Sequence, residues 1–399
     1  MIPSEVSSFN KLKSMNKKLK LGMIGGGPGA FIGAVHRIAA QIDSEYELVC
    51  GAFSSDPAKS KASGELLGLS PDRVYNSFEE LFEKEKQLPE DERVKVISIV
   101  TPNHVHFAPA KMALESGFHV ILDKPMTFSL AEAKELQAVA EKSNKLFCLT
   151  HTYTGYPMVK EARQFIAEGK LGKVRKVFVE YPQGWLSRFE EGGENKQASW
   201  RTNPKQSGIA GSMGDIGSHA FNLAEYVTGV KVAKMCANIN IVVEGRQLDD
   251  DGDVLLKFEN GASGVLTASQ VAAGEENNLK IRVYGEKGGI EWQQDIANTL
   301  LVKWLDKPAE ILRTGGGYLS SYAKHNTRTP GGHPEGYLEA FANLYRNFAL
   351  SIKAGIAGET PSAEVLDYPG IEAGVRGMAF IENVIASGKS TEKWTDFKI

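Results

Sequence analysis

No stretch of this sequence reaches the roughly 18 uninterrupted apolar residues of a membrane span, so no membrane partner is expected. The N-terminal MIPSEVSSFNKLKSMNKK carries lysines but lacks the apolar core of a signal peptide. The expectation is a cytoplasmic protein whose residues 1–18 form a frayed tail or an arm on a neighbouring subunit. Cysteine is scarce: Cys50, Cys148 and Cys236 lie far apart and form no CxxC pair, which excludes a disulfide framework and reads as free thiols in a reducing compartment. An excess of one charge is missing too. Lys and Arg number 46 against 49 Asp and Glu, a net charge of −3, so nucleic acid is not an expected partner. His104, His106 and a distant cysteine lack metal-ligand spacing, so no metal is expected. There is no internal repeat and no low-complexity tract.

What is present is length and pattern. A chain of 399 residues with 42% hydrophobic content exceeds what one core usually organises, and two domains follow. From residue 19 to about 149 the apolar runs LKLGMI, YELVCGAF, VKVISIV, HVILD and LFCL alternate with amphipathic segments such as AEAKELQAVAEKS. Strand, helix, strand in this order predicts an α/β unit, a doubly wound parallel sheet of the nucleotide-binding kind, over residues 19–149. The polar run EKEKQLPEDERVK, residues 83–95, is expected to be a solvated loop. Beyond residue 150 a helical segment near 158–168 precedes VRKVFVEY, KVAKMCANINIVV, DVLLKF, GASGVLTAS, LKIRVYG, GGIEW and TLLVKWL. Their close spacing and glycine turns predict an α+β domain over 150–399 with a large, mostly antiparallel sheet. Apolar and polar residues alternate in several of these strands, so helices cover one face and the other is left for a partner subunit. Two helical segments, 335–353 and 362–387, close the chain.

Gly25, Gly27 and Ala30 satisfy G-x-G-x-x-G/A directly after LKLGMI and before a helix that begins near Phe31. Small residues let a backbone turn tightly and approach a pyrophosphate, whose charge then meets the free amides of the helix. Pro28 and Gly29 complete this loop. An acidic residue that binds a ribose 2′-hydroxyl belongs at the end of the second strand, yet Glu47 opens that strand and Ser54 and Ser55 close it, with Asp56 and Lys59 beyond. Without a strand-terminal carboxylate to repel a 2′-phosphate, the reading leans towards NADP over NAD.

Past the third strand the chain runs TPNHVHFAPAKMALESGFHVILDKPMT, and later SWRTNPKQSGIAGSMGDIGSHAFNLAEYVTG. In these motifs it resembles the Gfo/Idh/MocA family of sugar and cyclitol oxidoreductases: T-P-N-x-x-H at a strand end, E-K-P after the next strand, a Trp-Arg pair, then D-x-G-x-H on a helix. Here the second motif is Asp123-Lys124-Pro125, which keeps a carboxylate one carbon shorter. The resemblance covers nearly the whole chain. It implies that Thr101, Pro102, Asn103, His106, Asp123, Lys124, Pro125, Trp200 and Arg201 meet a nicotinamide dinucleotide, that Lys124, Asp215 and His219 flank the reacting carbon, and that the Lys124–Pro125 peptide is cis. His104 is an expected bystander.

The residues support that chemistry on their own terms. Asp215 and His219 are four apart in a helical segment, so both are expected on one face, the carboxylate orienting an imidazole that accepts a proton. A lysine ammonium stabilises a developing oxyanion. The element Gly33-Ala34-Val35-His36 follows a glycine loop longer than is usual in the family, so Phe31 and Ile32 are expected to pack over the cofactor. His151, Tyr153 and Tyr156 stand where a sugar ring could be met, with core packing as the alternative. His333 and Glu335 precede a helix, as substrate contacts or as caps.

The expected activity is hydride transfer between NAD(P) and a secondary hydroxyl of a sugar, glycoside or cyclitol. An NAD-dependent glycoside hydrolase acting through transient oxidation and elimination would use the same Lys124 and His219. A protein that only senses a dinucleotide is disfavoured by the intact Lys, Asp and His. The resemblance also implies a homodimer or homotetramer through the open sheet face.

Overall fold

The computed structural model describes residues 17–399 apart from Gly192 and Glu194; the tail or arm expected at the N-terminus falls outside the described residues, save its last two. Strands β1 (Leu19–Gly25), β2 (Tyr46–Ala52), β3 (Val96–Val100), β4 (His119–Leu122) and β5 (Phe147–Leu149) form a parallel sheet in the order β2-β1-β3-β4-β5. Helices α1 (Phe31–Ile42), α2 (Pro57–Leu66), α3 (Phe78–Glu85), α4 (Phe107–Glu115) and α5 (Leu130–Ser143) belong to its connections. Every residue of β3 is buried, as a strand covered on both faces requires. The strand order reverses between β1 and β3, where Gly25 sits beside Val100 in register. The loops after these two strands therefore leave one edge side by side, at the crevice where such sheets bind ligands.

The second sheet has nine strands, β6 (Lys176–Pro182), β7 (Val232–Asn240), β8 (Asp251–Phe258), β9 (Ser263–Ser269), β10 (Lys280–Tyr284), β11 (Gly288–Gln293), β12 (Thr299–Trp304), β13 (Glu310–Arg313) and β14 (Thr395–Asp396). All neighbours pair antiparallel except β6 with β9. In β8, Val254, Leu256 and Phe258 point inward while Asp253, Leu255 and Lys257 are exposed, the period-2 pattern of a sheet with one covered face. Helices α6 (Pro157–Ala167), α7 (Lys196–Arg201), α8 (Ser218–Thr228), α9 (Tyr337–Ala357) and α10 (Ile371–Lys389) belong to the same part of the chain. Phe221 of α8 stacks on Phe380 of α10 at 4.6 Å between ring centroids, joining these helices to each other. Helix α9 goes elsewhere. Its Phe341, Leu344, Tyr345 and Phe348 pack with Leu21, Val96, Ile121 and Val35 of the first sheet and α1, so a late segment of the chain covers a face laid down early.

Two segments depart from the expected pattern. The run 83–95 is not wholly solvated, because Glu85 is fully buried. Its carboxylate takes a bidentate pair from Arg73 at 2.7 and 2.9 Å, the Tyr75 hydroxyl at 2.7 Å and the Val94 amide at 3.1 Å, which together replace the lost water. The closing helix starts at Ile371, not at residue 362. Pro369 has no amide to continue a helix, and its carbonyl instead accepts the Leu149 amide at 2.8 Å.

The non-helical stretch also carries Asp367, which meets the fully buried Lys160 at 2.9 Å, Arg163 at 2.6 Å and the Tyr226 hydroxyl at 2.6 Å. Burial alone would raise the Asp367 carboxyl, but Lys160 and Arg163 outweigh it and hold it below its ordinary value. Asp367→Asn strands the Lys160 ammonium and is expected to cost about 3–5 kcal/mol, read from urea unfolding at neutral pH. Because the folded value is depressed, the wild-type contribution is complete above the unfolded Asp value of about 3.9 and fades as pH falls towards the folded one. A neutral-pH loss below about 1 kcal/mol would show that the cation is not held by this carboxylate.

Candidate active site

The glycine loop follows from its residues. Gly25 has φ +82°, and a Cβ there would lie 2.9 Å from Thr101 Cγ2, so only glycine turns the chain at this point without a clash. A Cβ on Gly33 would come within 2.4 Å of Gly26 Cα. The close helix-to-strand approach that the fingerprint demands is therefore made at Gly33, and Ala30 is instead the extended N-cap of α1 with no side-chain cap. The first amides of α1 stay available for phosphate oxygens. Gly27 lies within the loop, with Pro28 and Gly29 exposed at its tip, and Phe31 and Ile32 line the cleft beyond. After β2, Ser54 Oγ accepts the Asp56 amide at 3.1 Å, while Asp56 caps α2 through the Ala58 and Lys59 amides. Ser55 is exposed beside them.

Thr101, Pro102 and Asn103 line the same cleft. His106 does not. It is fully buried, with Nδ1 2.8 Å from the Pro125 carbonyl and Nε2 2.8 Å from the Thr101 carbonyl. It ties the loops that follow β3 and β4 together and has no surface to offer the cleft, which corrects its expected place among the cofactor contacts. His104 is exposed. The Lys124–Pro125 peptide is cis.

Asp123 Oδ1 accepts the Lys124 amide at 2.9 Å and the Thr150 hydroxyl at 2.8 Å, with His36 Nε2 at 3.9 Å. Burial alone would raise this carboxyl, but His36, Lys124 and His106 outweigh it and hold it well below the usual carboxylate range. Lys124 Nζ donates to Asp215 Oδ1 and to the Asp215 carbonyl, both at 2.8 Å.

Asp215 sits in a π-helical turn, Met213–Gly217, ahead of α8. The turn is held by Asp249, which accepts the Gly211 and Met213 amides at 2.6 and 2.7 Å and the Ser212 hydroxyl at 3.0 Å. A wider turn takes more than four residues to come round, so Asp215 and His219 do not meet as the spacing suggested. The other Asp215 oxygen accepts Gln270 Nε2 at 3.0 Å and faces Arg201 Nε at 3.4 Å. Burial opposes its ionisation, yet Lys124 and Arg201 hold the carboxyl well below its usual range. His219 Nδ1 instead faces His151 Nδ1 at 3.5 Å, and its ring meets Tyr153 edge-on at 5.0 Å. Burial first, then Lys124 and His151, push the His219 imidazole well below its ordinary value. Burial and Lys124 likewise lower His151, to about 3. Both rings are neutral at neutral pH.

Asp123, Lys124, Asp215 and His219 line one cleft of about 680 Å³ with Trp200 and Arg201 of α7, and the Arg201 guanidinium stacks 4.3 Å from the Trp200 ring centroid. His151 does not line it: its ring is buried against that of His219. Tyr153 lines it as well. Tyr156 does not: it is buried between Tyr153 and Trp292, at 6.2 and 5.3 Å between centroids. His333 is exposed away from the cleft. Glu335 is buried, accepting the Arg328 and Thr329 amides at 2.5 and 2.7 Å, so it staples a turn. The cleft also gathers Tyr181, Gln183, Trp185, Gln197, Asn277, Gln294 and Tyr337, which the sequence reading did not single out. Three of these stand at or just past the end of β6, and that position was the one signal available for them. Among the described residues no group of three or more His, Cys, Asp or Glu is placed to hold a metal ion, and no helix is long and apolar enough to cross a membrane.

A parallel sheet with a glycine loop at its switch point, facing a Lys–Asp–His cluster, defines a dinucleotide-dependent oxidoreductase architecture. Comparison with known proteins agrees. The family described as "Oxidoreductase family, NAD-binding Rossmann fold" matches residues 19–151, and "GFO/IDH/MocA C-terminal domain" matches residues 159–291. The oxidoreductase YfiI of Bacillus subtilis is 32% identical over 393 residues, covering 98% of this chain and all of YfiI. Among solved structures, an oxidoreductase from Sinorhizobium meliloti is 46% identical with a TM-score of 0.86, covering 95% of this chain and 99% of that one. An inositol dehydrogenase homolog from Azotobacter vinelandii, complexed with NAD+, is 35% identical with a TM-score of 0.90, covering 96% and 98%; it is also solved with NADH and myo-inositol. The chain belongs to the Gfo/Idh/MocA family of oxidoreductases.

Proposed function

We propose that this protein oxidises a secondary hydroxyl of a neutral sugar, glycoside or cyclitol, reversibly, with a nicotinamide dinucleotide. The observation that carries the reading is a neutral His219 beside the Lys124–Asp215 pair in a cleft also lined by Ala30, Phe31 and Ile32, directly after the glycine loop. The glycine loop, the α1 amides and Thr101–Asn103 fit a dinucleotide, since side chains at Gly25 or Gly33 would collide with the cradle. When bound, the nicotinamide supplies the hydride acceptor. In the tautomer that carries its hydrogen on Nδ1, facing His151, His219 has on Nε2 the lone pair that takes the hydroxyl proton. Lys124, held by Asp215, donates to the substrate oxygen as negative charge gathers there. The Azotobacter homolog's complex with NADH and myo-inositol supports a polyhydroxyl substrate. Dehydrogenation is favoured over elimination because the relatives above carry oxidoreductase or dehydrogenase names. A screen of sugars and cyclitols with both dinucleotides, following nicotinamide absorbance, tests this; glycoside cleavage without net reduction would favour the hydrolase.

At the ribose end the proposal keeps NADP ahead of NAD, because serines close β2 and Asp56 is engaged as a cap. Ser54→Asp is expected to move the ratio of kcat/KM towards NAD by about tenfold or more, through repulsion of a 2′-phosphate and a new bond to a free 2′-hydroxyl. An unmoved ratio would place the reading of the ribose elsewhere. The exposed face of the second sheet, with Leu255 between Asp253 and Lys257, supports self-association as a dimer or tetramer, which sedimentation would register.

A further inference from the structure

One wall of the cleft is uncharged and wired together. Trp185 Nε1 donates to Gln183 Oε1 at 2.9 Å, and Gln183 Nε2 donates to Asn277 Oδ1 at 2.5 Å. The Tyr181 hydroxyl reaches the same Asn277 oxygen at 2.7 Å and is itself bonded to the Tyr153 hydroxyl. At the other end Gln270 Nε2 donates to Asp215 Oδ2 at 3.0 Å and to Gln183 Oε1 at 3.4 Å.

Chemistry leaves this chain a single polarity. An indole N–H can only donate and a carboxylate can only accept, so Gln183 must turn its oxygen to Trp185 and Gln270 its nitrogen to Asp215. The Gln183 amide nitrogen then faces Asn277, which must answer with oxygen. Tyr181 donates to that oxygen too, leaving its own lone pairs for the Tyr153 hydroxyl. Burial raises both phenols above their ordinary value, so they stay protonated. Asn277 ends with its oxygen doubly engaged; its side chain also reaches the Tyr153 hydroxyl, and it is exposed on the cleft with an amide N–H to spare.

We propose that Asn277 is a specificity-determining residue, its Nδ2 donating to a hydroxyl or ether oxygen of the substrate other than the one oxidised, with Trp185 and Gln183 as positioning residues. The proposal rests on the polyol reading above. A substrate oxygen takes the spare N–H over from water; an ammonium at that point meets only donors.

Asn277→Asp tests it, because a carboxylate still accepts from Tyr181 and Gln183 but offers no donor. The expected result is a KM for neutral polyols raised about tenfold, with kcat and dinucleotide affinity nearly unchanged. Amino-deoxy analogues should gain relative to their parents in that variant. Trp185→Phe keeps the ring but frees Gln183 to turn, and should raise KM without favouring amines. A readout without substrate is the Trp185 indole N–H resonance, assigned by its loss in Trp185→Phe. It should shift and exchange faster with water in Asn277→Ala. An unmoved indole signal, or an unchanged KM in Asn277→Asp, overturns the proposal. Absence of polyol turnover by the wild type, with the indole response intact, would instead overturn the functional reading on which it rests.

Discussion

His219→Ala is expected to slow single-turnover hydride transfer by about 10²- to 10⁴-fold while dinucleotide affinity stays nearly the same. Its ring stands in the cleft against Tyr153 and His151, outside the glycine loop that would hold the phosphates, so its loss touches the proton and not the cofactor's anchorage. The pH profile gives a second handle. Burial and neighbouring Lys124 push the imidazole well below its ordinary value, so the neutral, proton-accepting form persists as pH falls past about 6.5. The acid limb of kcat/KM for oxidation is therefore expected below the usual histidine range. Near-normal transfer in His219→Ala would mean that another group accepts the proton.

Lys124→Ala is expected to be comparably damaging, by about 10²- to 10³-fold in kcat, as for loss of an oxyanion donor. Lys124→Arg should not restore the rate, because a planar guanidinium cannot occupy the point where a compact ammonium meets both the Asp215 carboxylate and carbonyl at 2.8 Å. Asp215→Asn gives the discriminating comparison. Were Asp215 only to orient His219 its loss would be mild, but its oxygens hold Lys124, Arg201 and Gln270, so its effect should follow that of Lys124. Measuring the three variants on one substrate, with affinity for the dinucleotide as control, separates these roles. Full activity in Lys124→Ala would remove the ammonium from the chemistry.

The first sheet was legible because its strands are continuous apolar runs set between helices, and nothing else satisfies that alternation. The order of the cleft loops followed from the same pattern. What escaped was long-range. Glu85 looks like a surface charge until Arg73 and Tyr75 are folded onto it, and Tyr156 looks like Tyr153 until Trp292 claims its face. The pairing of Asp215 with Lys124 in place of His219 turns on one extra residue in a helical turn, which a spacing of four cannot reveal. Gln183 and Trp185 come from just past the end of β6 and Asn277 from the loop before β10, with ordinary residue types at each, so no local motif marked them.

The route of α9 has a consequence for synthesis. The face of the first sheet that holds Leu21, Val96 and Ile121 is covered by Phe341, Leu344, Tyr345 and Phe348, which leave the ribosome about 200 residues after β5. At common elongation rates that interval lasts roughly 10–40 s. Throughout it the nascent dinucleotide-binding sheet carries an uncovered apolar surface, so a fragment ending near residue 151 would be a sticky intermediate and no portable module. An early and a late segment of the chain must meet before its first sheet is finished.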